Sequence, residues 1–90
     1  MTRRRVALVG AGQMGASHAR VISQSSGAQL AVVVDIDAAA AGRLADRYGA
    51  AASSCLDDAA ACDIVVVAGS TAARMDCVML LLRAGRPLLV

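Results

Sequence analysis

The chain has 90 residues, a length that fits one domain. Its hydrophobic fraction is 58%, yet it has no Phe, no Trp and a single Tyr, so any core must be built mainly from Ala and Val. The net charge of +2, with one basic cluster at 3–5 that no aromatic residue interrupts, argues against a nucleic-acid partner, and no apolar run reaches the ~18–20 residues that span a membrane.

The first predicted strand, at 5–9, runs directly into a glycine-rich segment. That segment reads Gly10-Ala11-Gly12-Gln13-Met14-Gly15, and a helical pattern follows over 13–25. A strand, a G-x-G-x-x-G loop and a helix in this order are typical of dinucleotide-binding domains. Gly10 would allow the sharp turn, Gly12 the close approach of a pyrophosphate, and Gly15 tight packing of the helix on the strand. The free N–H groups of the helix would face the diphosphate.

The second predicted strand, at 29–34, ends on an acid. Asp35 lies about twenty residues after the glycine loop, where a carboxylate is expected to accept hydrogen bonds from the adenosine ribose. Its charge repels a 2′-phosphate, and its neighbours Ile36 and Asp37 offer no cation to hold one, so we predict NAD over NADP. A flavin site, another adenine-ligand site and a glycine turn in an unrelated α/β protein are the alternatives.

The later segments continue the alternation of strands and helices. Asp37 is placed to cap a helix over 38–48, which Gly49 would end. Further predicted elements are a strand at 50–53, a helical turn at 57–61, a strand at 64–68, a helix at 72–84 capped by Ser70 or Thr71 and ended by Gly85, and a fifth strand from 88. Right-handed crossovers then give an α/β, Rossmann-type, doubly wound parallel sheet with strand order 3-2-1-4-5. The cofactor is expected across the carboxyl ends of strands 1, 2 and 4.

Helical periodicity also predicts which side chains face the core. The expected inner faces are Met14, His18, Val21 and Ile22 on the first helix, Ala41, Leu44, Ala45 and Tyr48 on the second, and Met75, Val78, Met79 and Leu82 on the last. The three cysteines, at 55, 62 and 77, have neither metal-ligand nor disulfide spacing, which favours reduced thiols in the cytoplasm and no metal site.

Four segments taken together resemble the Gfo/Idh/MocA oxidoreductases. They are Val9–Gly15 with His18-Ala19, Val34–Asp37, Asp63–Ala68 and Ala84–Val90, and the resemblance covers essentially the whole chain. It implies an NAD(P)-dependent cytoplasmic enzyme that oxidises a hydroxyl group of a sugar, inositol or similar polyol. It also implies cofactor contacts from Gly10, Ala11, Gly12, Gln13, Met14, Gly15, Asp35 and Ile36, with the backbone near Ala68 and Gly69 flanking the nicotinamide ribose.

The chain departs from this family in two places near the nicotinamide. Gly69-Ser70 stands where the family has Thr-Pro, and Arg74 stands where a His is common. The family's Glu-Lys-Pro motif, whose Lys takes part in catalysis, is expected just beyond the fifth strand, and this chain contains no Lys.

We therefore expect residues 1–90 to form an incomplete dinucleotide-binding domain without a catalytic residue. A small polar substrate would bind only together with the family's missing C-terminal domain, and the apolar stretch at 88–90 could support self-association. Two alternatives stay open: a nucleotide-binding module or decayed fragment without activity, and a β-hydroxyacid dehydrogenase or pyrroline-carboxylate reductase, against which the acids at 35 and 37 argue.

Overall fold

The computed structural model describes residues 3–68, 85 and 88–89. Its elements are β1 (Arg4–Val9), α1 (Gln13–Gln24), β2 (Ala28–Val34), α2 (Ala38–Tyr48), β3 (Ala51–Ser53), α3 (Leu56–Ala60), β4 (Ile64–Val67) and the two-residue β5 (Leu88–Leu89). All strand pairs are parallel, and the spatial order is β3-β2-β1-β4-β5. The predicted α/β fold and the order 3-2-1-4 are confirmed. The predicted helix at 72–84 and its N-cap candidates, Ser70 and Thr71, lie outside the described residues, whereas Gly85 is described and has φ +73°.

The sheet is covered on both faces, and the period-two alternation of β1 divides its side chains between two cores. Val6 and Leu8 pack with α1 and α2 on one face, while Ala7 and Val9 pack with α3 on the other. Because both faces are buried, β1, β2 and β4 are apolar along most of their length instead of alternating with polar residues. The ends of these three buried strands, at Val9, Val34 and Val67, carry the residues of the candidate site.

The predicted inner face of α1 is wrong in part. Met14 is 61% exposed and Val21 60% exposed, whereas the buried residues are Gly15, Ala19 and Ile22. A Cβ on residue 15 would overlap the carbonyl group of Gly10, so the glycine must face the sheet and sets the rotation of the helix. Successive side chains are about 100° apart around a helix, so with Gly15 facing the sheet the side chain of Met14 points toward solvent.

The second helix matches its prediction closely. The Asp37 carboxylate accepts hydrogen bonds from the backbone N–H groups of Ala39 and Ala40, at 3.1 and 3.2 Å. Gly49 ends the helix in the left-handed region at φ +69°. The side chains predicted to face inward at 41, 44 and 45 are buried, and Tyr48 packs against the same core while half-exposed. Cap chemistry and periodicity both act locally, which is why the sequence predicted this element well.

We expect Gly42→Ala to stabilise the domain by about 0.5–1 kcal/mol, because Gly is a poor residue inside a helix and a Cβ there meets nothing within 4 Å. Gly49→Ala is the matched control: it has equally open space but a positive φ, and should destabilise by ~1 kcal/mol. Urea denaturation measures both changes, and a lowered midpoint for the first variant would contradict the prediction.

Candidate functional site

Three strand ends meet at one edge of the sheet, and backbone hydrogen bonds tie them together. Gly10 follows β1 and donates to the Val34 carbonyl at 2.8 Å, at the end of β2. Ala68 follows β4 and donates to the Val9 carbonyl at 2.7 Å. Because strand order reverses at β1, with β2 on one side and β4 on the other, the crevice of this open sheet lies here.

Two of the loop glycines are explained by packing within the chain. Gly10 has φ +107°, and a Cβ there would lie 2.8 Å from the Ala68 carbonyl carbon and still closer to its oxygen. A Cβ on Gly15 would lie 2.8 Å from the Gly10 carbonyl carbon, again closer to the oxygen. The turn is therefore clamped between the end of β4 and the first turn of α1.

Gly12 is different, because nothing in the described chain requires a glycine there. It has φ −77°, which any residue adopts, and no atom lies within 4 Å of where its Cβ would be. It is the N-cap of α1, makes no side-chain cap, and the first turn of that helix carries no acid. The loop thus presents unpaired N–H donors and the positive helix end to an open space. An anion approaching the backbone closely, such as a pyrophosphate, would explain the missing side chain.

Asp35 joins the second strand end to the glycine loop. One carboxylate oxygen accepts from the Ala11 N–H at 2.8 Å, and the other accepts from the Asp37 N–H at 2.9 Å. Asp35 is half-buried, and each oxygen keeps capacity for a further donor. The structure therefore places the predicted ribose acceptor directly beside the predicted phosphate loop, although 24 residues separate Asp35 from Ala11.

The other predicted site residues line the same edge in different ways. Gln13 and Met14 are exposed in the first turn of α1. Ile36 is 95% exposed, an unusual position for a large apolar side chain. Ala68 is buried and can contribute only its backbone. Gly69 lies outside the described residues, as do Ser70, Arg74 and Cys77.

Folding also brings arginines to this edge that the sequence analysis missed. A cavity of about 260 Å³ between α1 and α2 is lined by Ala11, Ala16, Ala40, Arg43, Leu44 and Arg47. Neither Arg43 nor Arg47 is an immediate neighbour of Asp35 in the sequence. A helical signal was present, since residues 40, 43 and 47 share one face of α2, but only the packing of α2 against α1 sets that face beside the glycine loop.

A second cavity, of about 330 Å³, continues along the same groove. It is lined by Ala16, Ser17, Arg20, Val21, Arg47 and Tyr48. The Arg47 guanidinium lies 5.9 Å from the centre of the Tyr48 ring, a cation–π distance. Arg47 borders both cavities, whereas Arg20 borders only this one.

Two acids outside this site accept hydrogen bonds that hold the chain locally, and two cysteines differ in exposure. Asp63 accepts from the Arg5 N–H at 2.9 Å and so holds the start of β1, while Asp58 accepts from the Ser53 hydroxyl. Cys55 is exposed and Cys62 is buried. Within residues 3–68, no group of three His, Cys or Asp side chains could hold a metal ion. No helix in the described part of the chain has the length and apolarity needed to cross a membrane.

Comparisons with known proteins agree with this geometry. The family model GFO_IDH_MocA, described as an oxidoreductase family with an NAD-binding Rossmann fold, matches residues 4–90. The solved structure of GenD2 from gentamicin A biosynthesis, in complex with NAD, is similar at 36% identity and a TM-score of 0.92 over 98% of this chain and 26% of that chain.

Two further solved structures show the same likeness. A myo-inositol dehydrogenase from Corynebacterium glutamicum is 31% identical with a TM-score of 0.87 over 97% of this chain and 27% of its own. The UDP-N-acetylglucosamine 3-dehydrogenase GnnA from Acidithiobacillus ferrooxidans is 26% identical with a TM-score of 0.87, over 98% and 29% of the two chains. The chain thus spans between a quarter and a third of the length of these proteins. No curated protein sequence gives a significant match.

Proposed function

Because the chain belongs to the Gfo/Idh/MocA oxidoreductase family, we propose that it is the cofactor-binding part of an NAD-dependent oxidoreductase acting on a hydroxyl group of a sugar, an inositol or a related polyol. The observation that carries the proposal is the hydrogen bond between the Asp35 carboxylate and the Ala11 N–H, at 2.8 Å. It joins the acid that would recognise a ribose to the loop that would hold a pyrophosphate.

The described residues fit such a cofactor in three ways. Gly12 leaves open space in front of the donors at the start of α1, where the pyrophosphate would lie. Asp35 would accept from the ribose hydroxyls with the carboxylate capacity that its two backbone donors leave unused. The exposed side chain of Ile36 offers an apolar surface for the adenine ring. Beyond these three, the family resemblance implies that backbone at Ala68, and at Gly69 outside the described residues, would flank the nicotinamide ribose.

The division of labour follows from this fit. When bound, NAD supplies the hydride acceptor, and the protein supplies binding, orientation and electrostatics. Recognition of the substrate and removal of its hydroxyl proton are proposed to depend on residues outside 1–90, since the chain covers 26% and 27% of the GenD2 and myo-inositol dehydrogenase chains.

We place this activity in the cytoplasm, with no nucleic-acid partner. The support is compositional: three thiols without disulfide spacing suit a reducing compartment, and the net charge is only +2. Cell fractionation would test the location.

Titration of the purified chain with NAD and with NADP tests the proposed function. We expect NAD to bind, to raise the melting temperature, and to bind about tenfold more tightly than NADP, because the 2′-phosphate carries ~1.5–2 negative charges toward a carboxylate. Isothermal titration calorimetry measures both affinities. Failure to bind NAD would contradict the proposed function. Equal affinities for NAD and NADP would contradict the role of Asp35 in repelling the 2′-phosphate.

A further inference from the structure

We propose that Arg43 is a specificity-determining residue for the cofactor: it contacts a 2′-phosphate and offsets part of the repulsion from Asp35, so that the domain accepts NADP weakly instead of excluding it. This inference rests on the proposed function and concerns the same site. Arg43 lies on α2, eight positions after Asp35. It is therefore not one of the sequence neighbours on which the predicted preference for NAD was based.

The first support is position. Ala11 donates its N–H to the Asp35 carboxylate and also lines the 260 Å³ cavity that Arg43 borders. A phosphate on the 2′-oxygen of a ribose bound at Asp35 would lie near that carboxylate, and Ala11 borders both the carboxylate and the cavity. Three of its lining residues, Ala11, Ala16 and Ala40, have only methyl side chains. Since a water molecule occupies about 30 Å³ in the liquid, the cavity has room for a phosphate and several waters.

The second support is that two N–H donors in the first turn of α2 are already in use. The N–H groups of Ala39 and Ala40, which a phosphate at this helix start would otherwise use, already donate to the Asp37 carboxylate. Side-chain donors for a phosphate in the cavity would come from Arg43 and Arg47, the cations among its lining residues. The planar guanidinium matches two phosphate oxygens at once.

The third support separates the two arginines. Arg47 lies one turn farther along α2, and its guanidinium is stacked over the Tyr48 ring. Arg43 is exposed, and within the described part of the chain its guanidinium has no ion pair, hydrogen bond or ring contact. Arg43 is also one turn from Ala40, on the same face of the helix. It is the cation free to turn toward the cavity without giving up an existing contact.

The test compares Arg43→Gln with Arg20→Gln in the 90-residue chain. Both substitutions remove one exposed positive charge from the groove, but Arg20 borders only the cavity away from Ala11. Calorimetry with NAD and NADP at low salt should show NADP weakened at least about fivefold by Arg43→Gln, with NAD changed less than twofold. Arg20→Gln should leave both unchanged. The difference should shrink as salt is raised, because the interacting charges are exposed.

A double-mutant cycle with Asp35→Ser gives a second readout. Removing the carboxylate should tighten NADP binding about threefold or more, and adding Arg43→Gln should cancel most of that gain. Adenosine 2′,5′-bisphosphate, compared with adenosine 5′-monophosphate, isolates the effect of the 2′-phosphate from the rest of the cofactor.

Each outcome decides between the two proposals. NAD binding together with NADP affinity that is unaffected by Arg43→Gln overturns the role of Arg43 and leaves the proposed function standing. Equal weakening by Arg20→Gln also overturns it, since the effect would then be general surface charge. Binding of neither dinucleotide overturns the proposed function and, with it, this inference.

Discussion

Gly10→Ala should remove most of the stability of the domain. The residue has φ +107°, and its Cβ would overlap the backbone carbonyl group of Ala68, which cannot move aside as a flexible side chain could. Backbone strain of ~1–3 kcal/mol and a comparable overlap penalty give a loss of about 4 kcal/mol. Domains of this kind have a total stability of roughly 5–15 kcal/mol, with small ones near the lower end. Circular dichroism during thermal melting measures the result.

Gly12→Ala is the control, with the same change of chemistry two residues away. Its Cβ meets no atom within 4 Å and its φ is −77°. The free energy of unfolding should therefore change by no more than ~1 kcal/mol. Affinity for NAD should nevertheless fall at least about tenfold, because the methyl group would stand where the pyrophosphate approaches. A stable Gly10→Ala variant, or a Gly12→Ala variant with undiminished NAD affinity, would contradict our account of the loop.

Asp35→Asn should remove most of the preference for NAD over NADP. The amide no longer repels a 2′-phosphate, and it can accept from only one of the two backbone donors at Ala11 and Asp37. We expect NAD to weaken about threefold and NADP to tighten about threefold, so that the ratio of the two affinities approaches one. The donor left without an acceptor should cost ~1–3 kcal/mol of stability. Calorimetry gives the ratio, and urea denaturation gives the stability.

Asp57→Asn is the matched control for charge. Asp57 is exposed in the first turn of α3, on the opposite face of the sheet from α1 and α2, and its substitution changes the net charge by the same amount. It should leave the ratio of NAD to NADP affinity unchanged. If it shifts that ratio as much as Asp35→Asn does, the preference arises from overall charge and not from the carboxylate beside Ala11.

The two substitutions at position 35 are linked to the inference about Arg43. If Arg43 contacts the 2′-phosphate, the affinity for NADP in the Asp35→Asn variant should depend on it more strongly than in the unmodified chain. The Asp35 carboxylate would then weaken NADP binding and the Arg43 guanidinium would strengthen it.

The sequence by itself determined the parts of this protein that depend on local chemistry. Continuous apolar runs marked β1, β2 and β4, because a strand buried on both faces has no polar side. Asp37 and Gly49 marked the ends of α2, because a cap acts on backbone groups within a few residues. The glycine spacing and the acid at 35 predicted the candidate cofactor site from residue type and spacing alone.

Only the tertiary structure decided how these local elements face one another. It turned α1 so that Gly15 and Ala19 meet the sheet and Met14 faces solvent, because close approach to the Gly10 carbonyl group outweighs the burial of a larger side chain. It also set Arg43 beside Ala11, a juxtaposition across two helices that no local pattern specifies. Helix rotation and helix contact depend on packing between distant segments, so they follow from the folded chain and not from the period of any one segment.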